Sequence, residues 1–66
     1  MKQGKLYKNA DGRYAIDEWT FFTCGSSIKI RIHGQWEETT IEHDGFDYYA
    51  VGFKGLNLEG LTACSP

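Results

Sequence analysis

The most regular pattern of hydrophobic and polar positions in the chain spans Ser27–Ile32. Isoleucine alternates there with a basic residue, in the order Ile28, Lys29, Ile30, Arg31, Ile32. Successive side chains of an extended strand point to opposite sides, so a period of two separates the isoleucines from the basic residues. The pattern therefore predicts a β-strand with one buried side and one side in water.

Two short glycine-containing segments divide the chain after this strand. His33-Gly34 and Asp44-Gly45 offer the positive φ angles that tight hairpins need. Residues 35–43 are predicted to form a second strand and residues 48–53 a third. The region 27–53 therefore predicts a small antiparallel β domain.

The spacing of Trp36 and Ile41 bears on which side chains are buried. The two are five residues apart, so a regular strand places them on opposite faces unless a β-bulge in residues 37–40 changes the phase. A two-residue loop at Asp44-Gly45 sets Ile41 across from Tyr48, whereas a three-residue loop sets it across from Tyr49. We favour the three-residue loop, which leaves Trp36 and Tyr48 on the other face. The three-residue loop also places four apolar residues on one face of the sheet: Ile41, Tyr49, Val51 and Phe53.

The N-terminal part of the chain supplies further short extended segments. Residues 5–8 and 13–19 predict two strands joined by a turn. If Tyr14 and Ile16 point inward, Trp19 points outward or caps an edge. Residues 20–23 either extend the second strand or begin a loop. Small polar residues then interrupt the pattern at residues 24–27.

The C-terminal part predicts a 3₁₀-like turn with Leu58 and Leu61 on one side, followed by a closing strand over residues 62–64. Residues 1–66 are thus expected to form one all-β domain. We predict a small SH3-like barrel of five or six short antiparallel strands, because closure removes strand edges that no helix is available to cover. A flat meander sheet that dimerises through one face is the alternative.

Composition adds two constraints. The 66 residues include four Phe, four Tyr and two Trp, which is more aromatic surface than so small a core hides, so some rings are expected at the surface. The formal net charge of −2 disfavours a domain built mainly to hold a phosphate backbone.

Cysteine usage and hydropathy favour the cytoplasm. Cys24 and Cys64 are predicted to be free thiols, because they show neither a disulfide framework nor the spacing of a zinc site. The chain start lacks the apolar run of a signal peptide, and no stretch reaches the ~20 apolar residues of a membrane span. No membrane association is expected.

Candidate catalytic chemistry is sparse. His33 and His43 lie in or beside predicted turns, and the sequence does not bring Cys24 to either of them. The densest set of possible metal ligands, Glu42, His43, Asp44 and Asp47, lacks the spacing of calcium loops and the convergent donors of zinc sites. Catalysis needs a nucleophile or base held by a second group. We therefore expect no catalytic residues, no metal, no cofactor and no enzymatic activity.

Four sequence segments form a characteristic set: GKLY at residues 4–7, GQW at 34–36, DYYAVG at 47–52 and LNLEGL at 56–61. Together they resemble a family of short Gram-positive bacterial proteins known only as a domain of unknown function. The spacing of Gly34, Trp36 and Ile41 before an aromatic-rich strand is also similar to that of SH3-like and Tudor-like barrels. The family resemblance covers nearly the whole chain and implies a stand-alone cytoplasmic protein, often carried on mobile elements, with no assigned catalytic residues.

The surface aromatics suggest binding rather than catalysis. We expect a non-enzymatic module that binds a protein or peptide through Trp36 and Tyr48, with Trp19 as a third ring, because exposed Trp and Tyr are enriched at interaction hot spots. A two-residue hairpin also places Arg31 across from Trp36 and predicts a cation–π contact. The alternatives are nucleic-acid binding through Lys29, Arg31 and the basic N-terminal segment, and a homodimer that buries the aromatics against a second copy.

Overall fold

The computed structural model describes residues 2–66 and contains eight β-strands. In chain order they are β1 (Gln3–Lys5), β2 (Tyr7–Lys8), β3 (Tyr14–Asp17), β4 (Thr20–Phe22), β5 (Ser27–Ile32), β6 (Gln35–His43), β7 (Tyr48–Ala50) and β8 (Thr62–Cys64). Residues 2–66 form no helix, and hence no helix long and apolar enough to cross a membrane. The all-β class and the strand predicted over Ser27–Ile32 are confirmed.

The strands form two antiparallel sheets. The five-stranded sheet has the order β1-β8-β5-β6-β7, and the three-stranded sheet has the order β2-β3-β4. Thr20–Phe22 is a separate strand that folds back on β3, rather than an extension of it. The prediction of a closed barrel with five or six strands is therefore wrong in two respects. The structure has eight strands, and their hydrogen bonds form two separate sheets instead of one closed sheet.

One extended segment passes from the larger sheet into the smaller one at Leu6. The Leu6 N–H donates to the carbonyl of Leu61, and the Leu6 carbonyl accepts from the N–H of Gly60, each at 2.8 Å. The side chain of Leu6 is 2% exposed and enters the core where β1 ends and β2 begins. These bonds explain why the single strand predicted over residues 5–8 is divided.

A tight approach of β1 to β3 brings the two sheets together. A Cβ atom on Gly4 would lie 3.0 Å from the carbonyl oxygen of Ile16 and 3.2 Å from its Cβ. Real Cβ atoms seldom come so close to backbone, so only glycine fits here without movement. Gly4 therefore permits the packing of one sheet on the other.

The C-terminal segment reaches the larger sheet through turns. The N–H of Leu61 donates to the carbonyl of Leu58 at 3.1 Å and closes a single turn. Gly60 within this turn has a φ of +83°, a left-handed conformation that a 3₁₀-helix does not contain, so no 3₁₀-helix forms at this position. The closing strand predicted over residues 62–64 is present as β8, which pairs with both β1 and β5.

The core draws side chains from both sheets: Leu6, Tyr14, Phe22, Ile28, Ile30, Ile41, Ala50, Leu58 and Ala63. Ile28, Ile30 and Ile41 are fully buried, and Ile32 packs against them at the edge of the core. Each fully buried isoleucine contributes about 1.5–3 kcal/mol relative to an exposed one. The alternation in β5 therefore predicted the main apolar row of the fold.

The pairing of β6 with β7 differs from the prediction. Ile41 lies across from Ala50, and His43 lies across from Tyr48. The connection therefore contains four residues, 44–47, instead of the three that we favoured. The additional residue changes which tyrosine faces the core, because residues directly across from each other share a face.

As a result, Tyr48 packs against the core and Tyr49 does not. Tyr49 lies across from Glu42 on the opposite side of the sheet. Val51 follows the end of β7 and is 44% exposed, whereas Phe53 packs partly against the core. The predicted apolar face is thus wrong at Tyr49 and Val51, whose places are taken by Tyr48 and Ala50.

Candidate functional site

The outward side of the five-stranded sheet brings several predicted site residues together. We call it the outer face and define it by the side chains that alternate with core residues on four strands: Gln3, Lys5, Lys29, Arg31, Trp36, Glu38, Thr62 and Cys64. The strand register aligns them in rows, as where Lys29 lies between Cys64 and Glu38. The core isoleucines of β5 occupy the opposite side of the same sheet.

Trp36 and Arg31 form the most prominent pair on the outer face. They lie directly across from each other, and the guanidinium carbon of Arg31 is 5.4 Å from the Trp36 ring centroid. The pairing of β5 with β6 runs without a break from Gln35 to Thr40, so no bulge changes the phase and Trp36 faces outward. The predicted cross-strand cation–π contact is confirmed, and Trp36 remains 39% exposed.

A two-residue turn fixes this register. His33 has a φ of 51° and Gly34 a φ of 78°. Two successive positive φ angles define the hairpin turn whose twist matches that of paired strands. Histidine is one of the few residues other than glycine that tolerates this region. The turn therefore holds Arg31 and Trp36 across from each other.

The outer face contains a shallow depression of about 440 Å³ lined by Gln3, Lys29, Trp36, Glu38 and Cys64. The Nζ atom of Lys29 lies 3.9 Å from a carboxylate oxygen of Glu38. Lys5 and Arg31 add two further positive charges on this side of the sheet. Although the whole chain is acidic, the surface around Trp36 is basic.

The structure does not bring the other predicted rings to Trp36. Tyr48 lies on the core side of the sheet, where its ring meets His43 edge-on with centroids 4.7 Å apart. Trp19 follows β3, in the turn to β4 of the smaller sheet, and is 81% exposed. Of the four predicted binding residues, Trp36 and Arg31 share a surface, while Tyr48 and Trp19 lie elsewhere.

Three exposed rings were not among the predicted binding residues. Tyr7 and Phe21 flank the buried Ala15 on the outward side of the smaller sheet, and they are 39% and 52% exposed. The guanidinium carbon of Arg13 lies 5.8 Å from the Phe21 ring centroid. Phe46 is 94% exposed in the connection between β6 and β7. In the sequence, Phe46 directly follows the predicted Asp44-Gly45 turn, and that position indicated an exposed side chain.

The acidic residues between β6 and β7 organise the loop. The Asp44 carboxylate accepts hydrogen bonds from the N–H groups of Asp47 at 2.9 Å and Phe46 at 2.8 Å, which lower the pKa of Asp44. The Nδ1 atom of His43 accepts from the N–H of Gly45 at 3.1 Å. Within residues 2–66, no three His, Cys, Asp or Glu side chains converge in a way that could hold a metal ion.

Asp47 also links this loop to the smaller sheet through an ion pair with Lys8. The hydrogen bond between them lowers the pKa of Asp47 and raises the pKa of Lys8. The Lys8 ammonium lies 5.3 Å from the ring centroid of Tyr14. Burial raises the pKa of Tyr14. The acidic cluster is therefore tied into the fold by its own backbone and by a neighbouring strand.

Both cysteines are free thiols, as predicted. Cys24 is exposed in the turn before β5, whereas Cys64 is 4% exposed and its thiol donates to the carbonyl of Ser65 at 3.4 Å. The side chains of His33 and His43 are exposed. Cys64 thus lines the depression on the outer face without presenting its thiol to solvent.

Comparison with known proteins gives one match. A family model described as "Domain of unknown function (DUF5348)" matches residues 4–64. No curated protein and no solved structure matches the chain.

Proposed function

The chain belongs to the family described as a domain of unknown function (DUF5348), and we propose that it is a non-enzymatic module that binds a protein or peptide through its outer face around Trp36. The observation that carries this proposal is the cross-strand pair of Trp36 and Arg31 on the outward side of the larger sheet. Tryptophan and arginine are the side chains most enriched at binding hot spots.

The charges around Trp36 favour a partner segment that contains carboxylates. Lys5, Lys29 and Arg31 lie on the outer face, and only Lys29 has a carboxylate of this face within ion-pair distance. An arginine guanidinium binds a carboxylate through two parallel hydrogen bonds. An acidic segment placed against the Trp36 ring would satisfy these groups and cover the aromatic surface.

The wider setting is part of the same proposal. The family resemblance favours a cytoplasmic protein of Gram-positive bacteria that is carried on mobile elements, and an SH3-like relationship for the fold. We propose no role for a cofactor.

Single-stranded nucleic acid is a second candidate partner, favoured by a specific feature of β5. Lys29 and Arg31 project from the same side of the strand, and Arg31 contacts the Trp36 ring. Basic residues beside an aromatic ring are typical of surfaces on which bases stack. Binding to an oligonucleotide should then weaken steeply as salt increases. No binding at low salt would eliminate this candidate.

A homodimer is a third candidate, favoured by the exposed Tyr7 and Phe21 on the smaller sheet. Burial of these rings against a second copy would protect them from water. Sedimentation equilibrium at high protein concentration tests it, because a monomer under those conditions excludes the homodimer.

Affinity capture from the source cells tests the leading proposal. Tagged wild-type protein, a Trp36→Ala variant and a Phe46→Ala control are compared, and bound protein and nucleic acid are both identified. Phe46 is the matched control because it is more exposed than Trp36 and lies outside the outer face. We expect wild type and the control to retain one acidic protein partner that Trp36→Ala loses. Equal capture by all three folded proteins contradicts the proposal.

A further inference from the structure

A second concave surface lies on the opposite side of the β5–β6 hairpin from Trp36. It has a volume of about 560 Å³ and is lined by Ile32, His33, Gln35, Glu37, Phe53, Lys54 and Leu56. Ile32 and Gln35 lie across from each other, and Glu37 lies across from the buried Ile30. The groove is therefore on the core side of the larger sheet, at the end where the core reaches the surface.

The floor of this groove is apolar. Ile32, Phe53 and Leu56 are partly buried and pack against the core. Contact with the methylene groups of a ligand would remove their remaining apolar surface from water, which is favourable. The floor is thus suited to an aliphatic chain lying across it.

Glu37 gives the groove a negative charge. Among residues 2–66, no lysine or arginine nitrogen lies within ion-pair distance of its carboxylate. The ammonium of Lys54, which also lines the groove, is instead 3.5 Å from a carboxylate oxygen of Asp44 and 5.1 Å from the ring centroid of Tyr49. Within residues 2–66, the charge of Glu37 is therefore not neutralised by an ion pair.

We propose that this groove binds a lysine or arginine side chain from an extended segment of a protein partner. The methylene groups of this lysine or arginine lie on Ile32 and Leu56, while the charged end of the side chain pairs with Glu37. The ring of Phe53 offers the same cation an aromatic face. Charge complementarity with Glu37 selects a basic occupant over an acidic one. This site is separate from Trp36 and does not depend on the function proposed for the outer face.

Titration of the full chain with three blocked peptides tests the proposal. Their sequences are Gly-Leu-Arg-Leu-Gly, the same peptide with Glu in place of Arg, and the same peptide with Gln in that place. Methyl NMR signals of Ile32 and Leu56 report on the groove, and the indole signal of Trp36 reports on the outer face. We expect the arginine peptide to shift the groove signals with an affinity about tenfold above that of the glutamate peptide.

Two variants place the effect at the carboxylate. Glu37→Gln removes the charge with little change of shape. Glu18→Gln is the matched control, because Glu18 is exposed in the turn between β3 and β4 and lines neither the groove nor the outer face. We expect Glu37→Gln to lose most of the preference for arginine and Glu18→Gln to keep it. The wild-type comparison of the three peptides needs no variant, so it stands if Glu37→Gln does not fold.

Three results overturn this assignment. The first is equal affinity for the arginine, glutamine and glutamate peptides. The second is a response confined to the Trp36 signal, which would leave the outer face as the binding surface. The third is the absence of any shift in the Ile32 and Leu56 signals at about 1 mM peptide, a concentration at which even weak binding is detected.

Discussion

Arg31 and Trp36 lie directly across the β5–β6 pair, with the guanidinium carbon 5.4 Å from the ring centroid. The contact holds a large aromatic side chain on the outward side of the sheet while the core isoleucines of β5 lie on the other side. It shields part of the ring and leaves 39% of the residue accessible. A basic and aromatic surface therefore exists on a strand pair whose stability comes from the opposite face.

This contact should be measurable as a coupling between the two side chains. Arg31→Ala, Trp36→Ala and the double variant form a double-mutant cycle for the free energy of unfolding. We expect a coupling of about 0.5–1 kcal/mol, the range for cation–π pairs at exposed sites. Denaturant unfolding measures it. Additive effects of the two substitutions would show that the Trp36 ring and the Arg31 guanidinium do not interact in solution.

The register of β6 and β7 predicts a difference between neighbouring tyrosines. Tyr48 packs against the core and contacts His43, whereas Tyr49 lies on the other side of the sheet. Tyr48→Ala should therefore lower the free energy of unfolding by about 2 kcal/mol more than Tyr49→Ala, since truncation leaves a cavity only at the first site. A larger loss at Tyr49 would restore the three-residue loop and refute the observed pairing.

The close approach of β1 to β3 predicts that Gly4 tolerates no side chain. Gly4→Ala places a Cβ atom 3.0 Å from the carbonyl oxygen of Ile16, so one sheet must move relative to the other. We expect a loss of about 1–3 kcal/mol in the free energy of unfolding, the cost of overpacking a tight contact. Thermal unfolding measures it. Unchanged stability would mean that the sheets are not in contact at this point.

The loop between β6 and β7 predicts a dependence of stability on acid. Backbone hydrogen bonds from Asp47 and Phe46 lower the pKa of Asp44 below its ordinary 3.8. A carboxyl whose pKa is lowered in the folded state contributes stability above its unfolded pKa and loses that contribution as the pH falls through the folded pKa.

The corresponding measurement compares wild type with Asp44→Asn. The free energy of unfolding of the wild type should fall as the pH drops below about 4, and the variant should show a smaller fall because one titrating group is gone. Ion pairing of Asp47 with Lys8 acts in the same direction and remains in both proteins. Parallel curves for the two proteins would contradict this role of Asp44.

Local patterns predicted the β5–β6 hairpin well. The alternation of isoleucine with basic residues and the His33-Gly34 turn together determine the register, and both are contained in a few consecutive residues. Trp36 on the outer face and its contact with Arg31 followed from that register. The part of the site formed by one hairpin was therefore predictable.

Features that depend on side-chain hydrogen bonds or on distant contacts were not predictable. Asp44 accepts two backbone hydrogen bonds and makes the loop one residue longer than we favoured, which moves Tyr48 to the core side. Leu6 joins two sheets only because Gly60 and Leu61 meet it from the other end of the chain. The groove at Glu37 likewise requires the segment that contains Phe53 to pack beside the hairpin.

Quenching of Trp36 fluorescence tests whether the partner binds on the outer face. The chain has two tryptophans, so the Trp19→Phe substitution leaves Trp36 as the single tryptophan. Trp19 is 81% exposed, so its replacement should not disturb the core. Acrylamide quenching is measured with this variant free and saturated with the captured partner. If the outer face is the binding surface, the partner should lower the quenching of Trp36 severalfold. Equal quenching of Trp36 with and without bound partner would contradict the assignment of the outer face as the binding surface.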